Sequence, residues 1–152
     1  MHKKINFLKL PFDVPIVEFS LDNGAKGYAI IDTASEVTTI DKDFVLENKK
    51  EFHVKKERKK ITMVGVNGET AVPIIKSSGF LGFQTHPAGY IQLEMTDAIT
   101  YSLRAITQNI KSQYECDLDI AIILGSDFFT KHQAKIDYSV KTICFNDDLS
   151  GK

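Results

Sequence analysis

The chain has 152 residues, 43% hydrophobic and 26% charged, with a formal net charge of −1. That length fits one domain spanning 1–152 and leaves little room for two. The balanced charge argues against a general nucleic-acid binder, the composition against disorder, and the lack of a long apolar stretch against a membrane partner. Lys3 and Lys4 precede an apolar run that Lys9 and Pro11 interrupt, which makes a poor signal peptide. The expected compartment is the cytoplasm, or the periplasm or exterior if a leader has been removed.

Short runs of β-branched and aromatic residues alternate with turn residues, the pattern of an all-β chain. Ile16 to Leu21 alternates as a strand, and Asp22-Asn23-Gly24 reads as a tight turn. Tyr28 to Ile31 is an apolar run expected to be buried on both faces. Val37 to Ile40 reads as a strand and Phe44 to Asn48 as a helical turn. Phe52 to Val66 is a long strand with a basic middle, Lys55, Lys56, Arg58, Lys59 and Lys60. A nucleic-acid contact is one reading of that run. A solvated two-stranded ribbon is preferred, because aromatic residues do not interleave with the charges.

Asn67-Gly68 is the strongest short hairpin signal, and Ala71 to Ile75 returns, with Pro73 marking an edge strand. Tyr90 to Met95 reads as a strand. Ser102 to Ile110 reads as a strand with helix as the alternative, and Lys111 to Asp119 as a polar loop. Ile120 to Leu124 is the most apolar run and stops at Gly125. Ser126 to His132 reads as a short helix with Ser126 as its N-cap. A last hairpin is expected over Ala134 to Tyr138 and Thr142 to Phe145. Cys116 and Cys144 stand in unrelated contexts, away from any His pair at metal spacing, and read as ordinary thiols, Cys144 buried in a strand.

No His-Glu-x-x-His, Gly-x-Ser-x-Gly, phosphate-binding loop or dinucleotide fingerprint occurs, and no cofactor or metal is expected. Two features remain. In Ile30-Ile31-Asp32-Thr33-Ala34-Ser35 a carboxylate follows directly on a buried strand, at a turn of small residues. Burying an ionised carboxylate is costly unless it is paired or hydrogen-bonded, although an Asp capping its own turn is common. In Ile122-Ile123-Leu124-Gly125 an apolar strand is stopped by a glycine that admits close backbone approach.

Together, and in this order, these segments resemble the retropepsin-like aspartic protease family. Pro15 to Leu21, Asn23-Gly24 and Ala29 to Ser35 look like the strand, turn and Asp-Thr-Gly-Ala motif. Met63 to Gly68 looks like the Gly-rich flap, and Ile122 to Phe129 like the strand and helix beneath the active-site loop. The resemblance implies an all-β, single-domain closed β-barrel with a flap hairpin and one short helix after Gly125. It implies that Asp32 is the catalytic carboxylate. Thr33 locks two active-site loops across a dimer axis, with Ala34 and Ser35 completing the loop. Glu36, Gly65, Val66, Asn67 and Gly68 meet an extended peptide or protein substrate, and Leu124 and Gly125 support the loop.

One chain carries one such Asp, so an active form must be a homodimer. Activity is expected from acidic to near-neutral pH, where a carboxylate pair holds one proton. Ala34 stands where the family has Gly. Ser126-Asp127 stands where viral relatives have an Arg that braces the residue at Glu36. The tail extends through an extra hairpin. These departures support an alternative, a catalytically inactive peptide- or protein-binding module of the same fold.

Overall fold

A computed structural model describes residues 2–65 and 68–146, with ten strands and three α-helices among them. The chain order is β1 (His2–Asn6), β2 (Ile16–Ser20), β3 (Lys26–Ile31), β4 (Thr39–Asp41), α1 (Lys42–Glu47), β5 (Phe52–Gly65) and β6 (Gly68–Thr85). It continues with β7 (Gly89–Tyr101), α2 (Arg104–Tyr114), β8 (Ile120–Leu124), α3 (Ser126–Lys131), β9 (Lys135–Asp137) and β10 (Thr142–Asn146).

Six strands close into a barrel in the order β2-β3-β8-β4-β7-β6, sealed where Ser20 of β2 pairs with Gly82 of β6. β5 hangs on the outside of β6 as a seventh, edge strand. β2 and β3 form a hairpin in which Ile16 faces Ile30 and Ser20 faces Lys26. Its turn uses Gly24 at φ +87, a conformation open to glycine at no steric cost. β3 and β8 pair in parallel, Ile31 opposite Leu124, as do β4 and β7, while β4 and β8 are antiparallel. Parallel strands are covered on both faces, which explains the nearly continuous apolar run of β8.

The main core fills the barrel with Val17, Phe19, Ile31, Ile40, Leu81, Phe83, Met95, Ile122 and Leu124. A second cluster lies outside β3 and β8. There Ile16, Ile110 and Ile120 pack with Leu8, Leu10, Tyr28 and Ile30 under α2. Tyr28 to Ile31 thus has apolar neighbours on both faces, as expected.

Four expectations need correction. Ser102 to Ile110 is not a strand: buried Leu103 and Ile110 stand seven positions, two helical turns, apart, and α2 extends to Tyr114, taking the start of the expected polar loop. Helix α3 is therefore not the sole helix. Its N-cap is Gly125 rather than Ser126. Cys144 is half-buried rather than buried, and it and Cys116 are both free thiols.

The last hairpin forms as expected, and β10 also pairs with β1, His2 opposite Asn146 and Asn6 opposite Thr142. The first and last described strands thereby join one sheet of order β1-β10-β9. Pro73 sits where β6 pairs with β5 alone, since β7 joins only from Lys76 onward, so its missing N–H can face the open side. No helix among the described residues is long and apolar enough to cross a membrane.

Candidate active site

Asp32 is the first residue after β3, and its position is set by backbone bonds on both sides. The Ile31 amide donates to the Pro15 carbonyl and the Asp32 amide to the Leu124 carbonyl, each at 2.9 Å. The end of β8 thus grips the point where the chain leaves the barrel. The Asp32 carbonyl accepts from the Ser35 amide at 3.1 Å, closing a turn, and Asp32 Oδ1 accepts from the Ala34 amide at 3.2 Å. Among the described residues no donor reaches Oδ2.

The side chain of Asp32 is half-buried, whereas Thr33, Ala34 and Glu36 are exposed. The loop therefore presents small residues outward and holds its carboxylate partly back. Ser35 Oγ donates to the Val37 carbonyl at 2.9 Å and stiffens the far side of the turn.

Below the loop lies α3. The Ser126 amide donates to the Ser35 carbonyl at 2.8 Å, and the Asp127 amide to the Glu36 carbonyl at 3.3 Å. Gly125 fits against the same backbone. A Cβ there would lie 2.7 Å from the Val37 carbonyl carbon and 2.8 Å from the Ser35 and Val37 oxygens. Only a glycine admits that approach.

Two residues the motif reading did not single out complete the support. Thr38 is 1% exposed, and its hydroxyl donates to Asp127 Oδ1 at 2.7 Å while its amide donates to Oδ2 at 3.1 Å. The same hydroxyl accepts from the Gly125 amide at 3.0 Å. The Asp127 carboxylate thus braces the chain just after the Asp32 loop. A polar Thr amid Val37, Thr39 and Ile40 was the available sequence signal, because a buried hydroxyl needs partners.

The structure therefore brings Asp32, Thr33, Ala34, Ser35, Glu36, Leu124 and Gly125 into one bonded unit. Gly65 and Gly68 pair with each other at the end of the β5–β6 ribbon. No hydrogen bond among the described residues ties that end to Asp32. Val66 and Asn67, the expected hairpin tip, lie outside the described residues. A hollow of about 640 Å³ lies elsewhere, near the starts of β3 and β8, among Lys26, Tyr28, Asp43, Phe44, Glu47 and Arg104. Among the described residues no group of three or more His, Cys, Asp or Glu could hold a metal ion.

No family model and no curated protein matches this chain.

Proposed function

We propose that the chain is one subunit of a homodimeric, retropepsin-like aspartic endopeptidase, with Asp32 as its catalytic carboxylate. The observation that carries this reading is the placement of Asp32. It follows a core strand, half-buried, on a loop locked by Leu124, Gly125 and α3, with Thr33 and Ala34 facing outward. A loop so braced, with a small exposed crest, suits contact with its own copy across a two-fold axis.

Two Asp32 carboxylates then lie close enough to share one proton, since like charges roughly 3 Å apart resist joint ionisation. The ionised carboxylate takes a proton from water as the water oxygen adds to the peptide carbonyl. The protonated partner donates to the carbonyl oxygen, giving a tetrahedral diol. The carboxylate that took the water proton then gives it to the amine nitrogen while the other takes a proton from the diol, so the C–N bond breaks to release amine and carboxylic acid and the pair again holds one proton. Thr33 bridges the two loops. The Gly65–Gly68 hairpin serves as the flap, holding the substrate extended and excluding bulk water.

The test is cleavage of a diverse peptide library at about pH 4 to 7, wild type beside Asp32→Asn. The peptidase reading expects cleavage by wild type alone, with the variant's unfolding free energy kept within about 0.5 kcal/mol, because Asn keeps an oxygen to accept from the Ala34 amide. Cleavage by both proteins would overturn the role of Asp32.

One observation favours a second reading, an inactive peptide-binding module. Asp32 Oδ1 caps its own turn through the Ala34 amide, a role that needs no catalysis. A chain that stays monomeric at high concentration and cleaves nothing, yet binds extended peptides, would favour it.

A further inference from the structure

The β5–β6 ribbon concentrates positive charge on an otherwise acidic molecule. Residues 52–76 contain six Lys or Arg and two Glu, a net +4, so the remainder of this −1 chain carries −5. The excess is local and lies on one strand, β5, whose outer edge pairs with no other strand among the described residues.

Two of these charges are spent inside the protein. Lys55 Nζ lies 3.3 Å from Asp97, and Lys76 Nζ lies 2.8 Å from Glu57. Lys56 and Lys60 have no acidic partner among the described residues, and both are exposed. The register brings them together. Lys56 faces Ile75 and Lys60 faces Pro73, so four steps along β5 match two along β6. That bulge puts both lysines on one face of the ribbon, because their β6 partners stand two residues apart. With Glu57 and Pro73 they line a hollow of about 420 Å³.

We propose that this bulged edge is a binding surface for acidic, extended polypeptide. Two unpaired ammonium groups beside a free strand edge offer carboxylates counter-charges and a peptide backbone its ladder partners at the same place. A nucleic acid is the poorer fit. No Phe, Tyr or Trp lies between residues 53 and 76, so the stretch around Lys56 and Lys60 has none of these rings on which bases could stack. Lysines on an edge strand also keep sheets from pairing, and that role alone predicts no preference among ligands. Binding here is independent of whether the chain cleaves. That the bound peptide is the substrate rests on the peptidase reading.

The experiment measures binding of a fluorescent Glu-rich peptide, an uncharged Ser/Thr-rich peptide of equal length and a single-stranded oligonucleotide, all to the Asp32→Asn protein. A Lys56→Glu/Lys60→Glu double variant is compared with Lys42→Glu/Lys135→Glu, the same charge change at two exposed sites elsewhere. We expect the acidic peptide to bind best, roughly tenfold more weakly to the β5 variant and nearly unchanged to the control. Its affinity should also weaken between about 0.05 and 0.2 M salt. Tighter oligonucleotide binding, no preference for the acidic peptide, or an equal loss in both variants would overturn the proposal. So would a β5 variant that self-associates while its peptide affinity stays the same. Wild-type protein run on the same acidic peptide reports cleavage separately, so failure of the peptidase reading leaves this result intact.

Discussion

Asp127 holds Thr38 by both of its donors, with 2.7 Å from the Thr38 hydroxyl to Oδ1 and 3.1 Å from its amide to Oδ2. The hydroxyl passes the constraint on by accepting from the Gly125 amide at 3.0 Å. Helix α3, the start of β4 and the end of β8 therefore meet at one buried threonine, directly beneath the Asp32 loop.

Asp127→Ala removes a charged acceptor from three donors, the hydroxyl and amide of Thr38, which is 1% exposed, and the Phe128 amide. The expected loss is about 3 kcal/mol of stability, because each such bond is worth roughly 1.5–3 kcal/mol and the orphaned groups stay buried. Asp127→Asn keeps one acceptor and should lose about half as much. Urea unfolding of the three proteins checks the order. If the chain is the dimeric peptidase proposed above, cleavage should fall in the same order, through kcat more than KM, because the loop is misplaced rather than the substrate pocket.

Gly125→Ala pushes a methyl group into the Ser35 and Val37 backbone at 2.7–2.8 Å. Backbone cannot swing aside as a side chain can. A loss of about 1–3 kcal/mol is expected, the usual cost of overpacking, with faster amide exchange at Asp32 and Ser126. A variant as stable as wild type would show that the loop has room to rise.

Ala34→Gly tests the small residue on the crest of the Asp32 loop. Ala34 is exposed and packs against nothing that would be lost. Its removal should lower stability by about 0.4–1 kcal/mol through the freer unfolded chain. If the chain is the peptidase proposed above, cleavage should rise, because one methyl fewer stands on the outward crest of the Asp32 loop. A fall in kcat/KM would show that the methyl helps hold the loop.

Acid should weaken the fold through His132 before it reaches the ordinary carboxylates. The His132 ring is half-buried against Phe128, with Nε2 2.7 Å from the Glu94 carbonyl, and burial holds its pKa below the ordinary imidazole value. The unfolded chain then takes up the proton first. The stability this neutral ring contributes is complete above about pH 6.5 and is lost as pH falls toward the lowered folded value. Glu94, held low by Lys131 and Thr96, loses its contribution only further into acid, below the usual Glu value. Urea midpoints at neutral and mildly acidic pH should therefore fall in wild type and stay flatter in His132→Gln.

Much of the local structure was written in short runs of residues. Alternation at Ile16 to Leu21, Gly24 in its turn, the apolar run that delivers Asp32 and the stop at Gly125 each depend on neighbours a few positions away. Period and turn chemistry are enough for such features. For α2 the strand reading fails, because Leu103, Ile106 and Ile110 stand at the helical spacing i, i+3, i+7. The contact of Ile110 with Ile16 and Ile120 is made against the outer face of the barrel.

The support of the candidate site belongs to the tertiary structure. Thr38 and Asp127 are 89 positions apart, and nothing in either segment announces the other. β1 finds β10 across nearly the whole chain, and β3 lies parallel to β8 only because the barrel closes around both. The sequence by itself determined where a carboxylate would leave a buried strand. Packing of the whole core decided what would stand beneath it, because hydrogen bonds between distant segments form only after the hydrophobic surfaces that carry them have met.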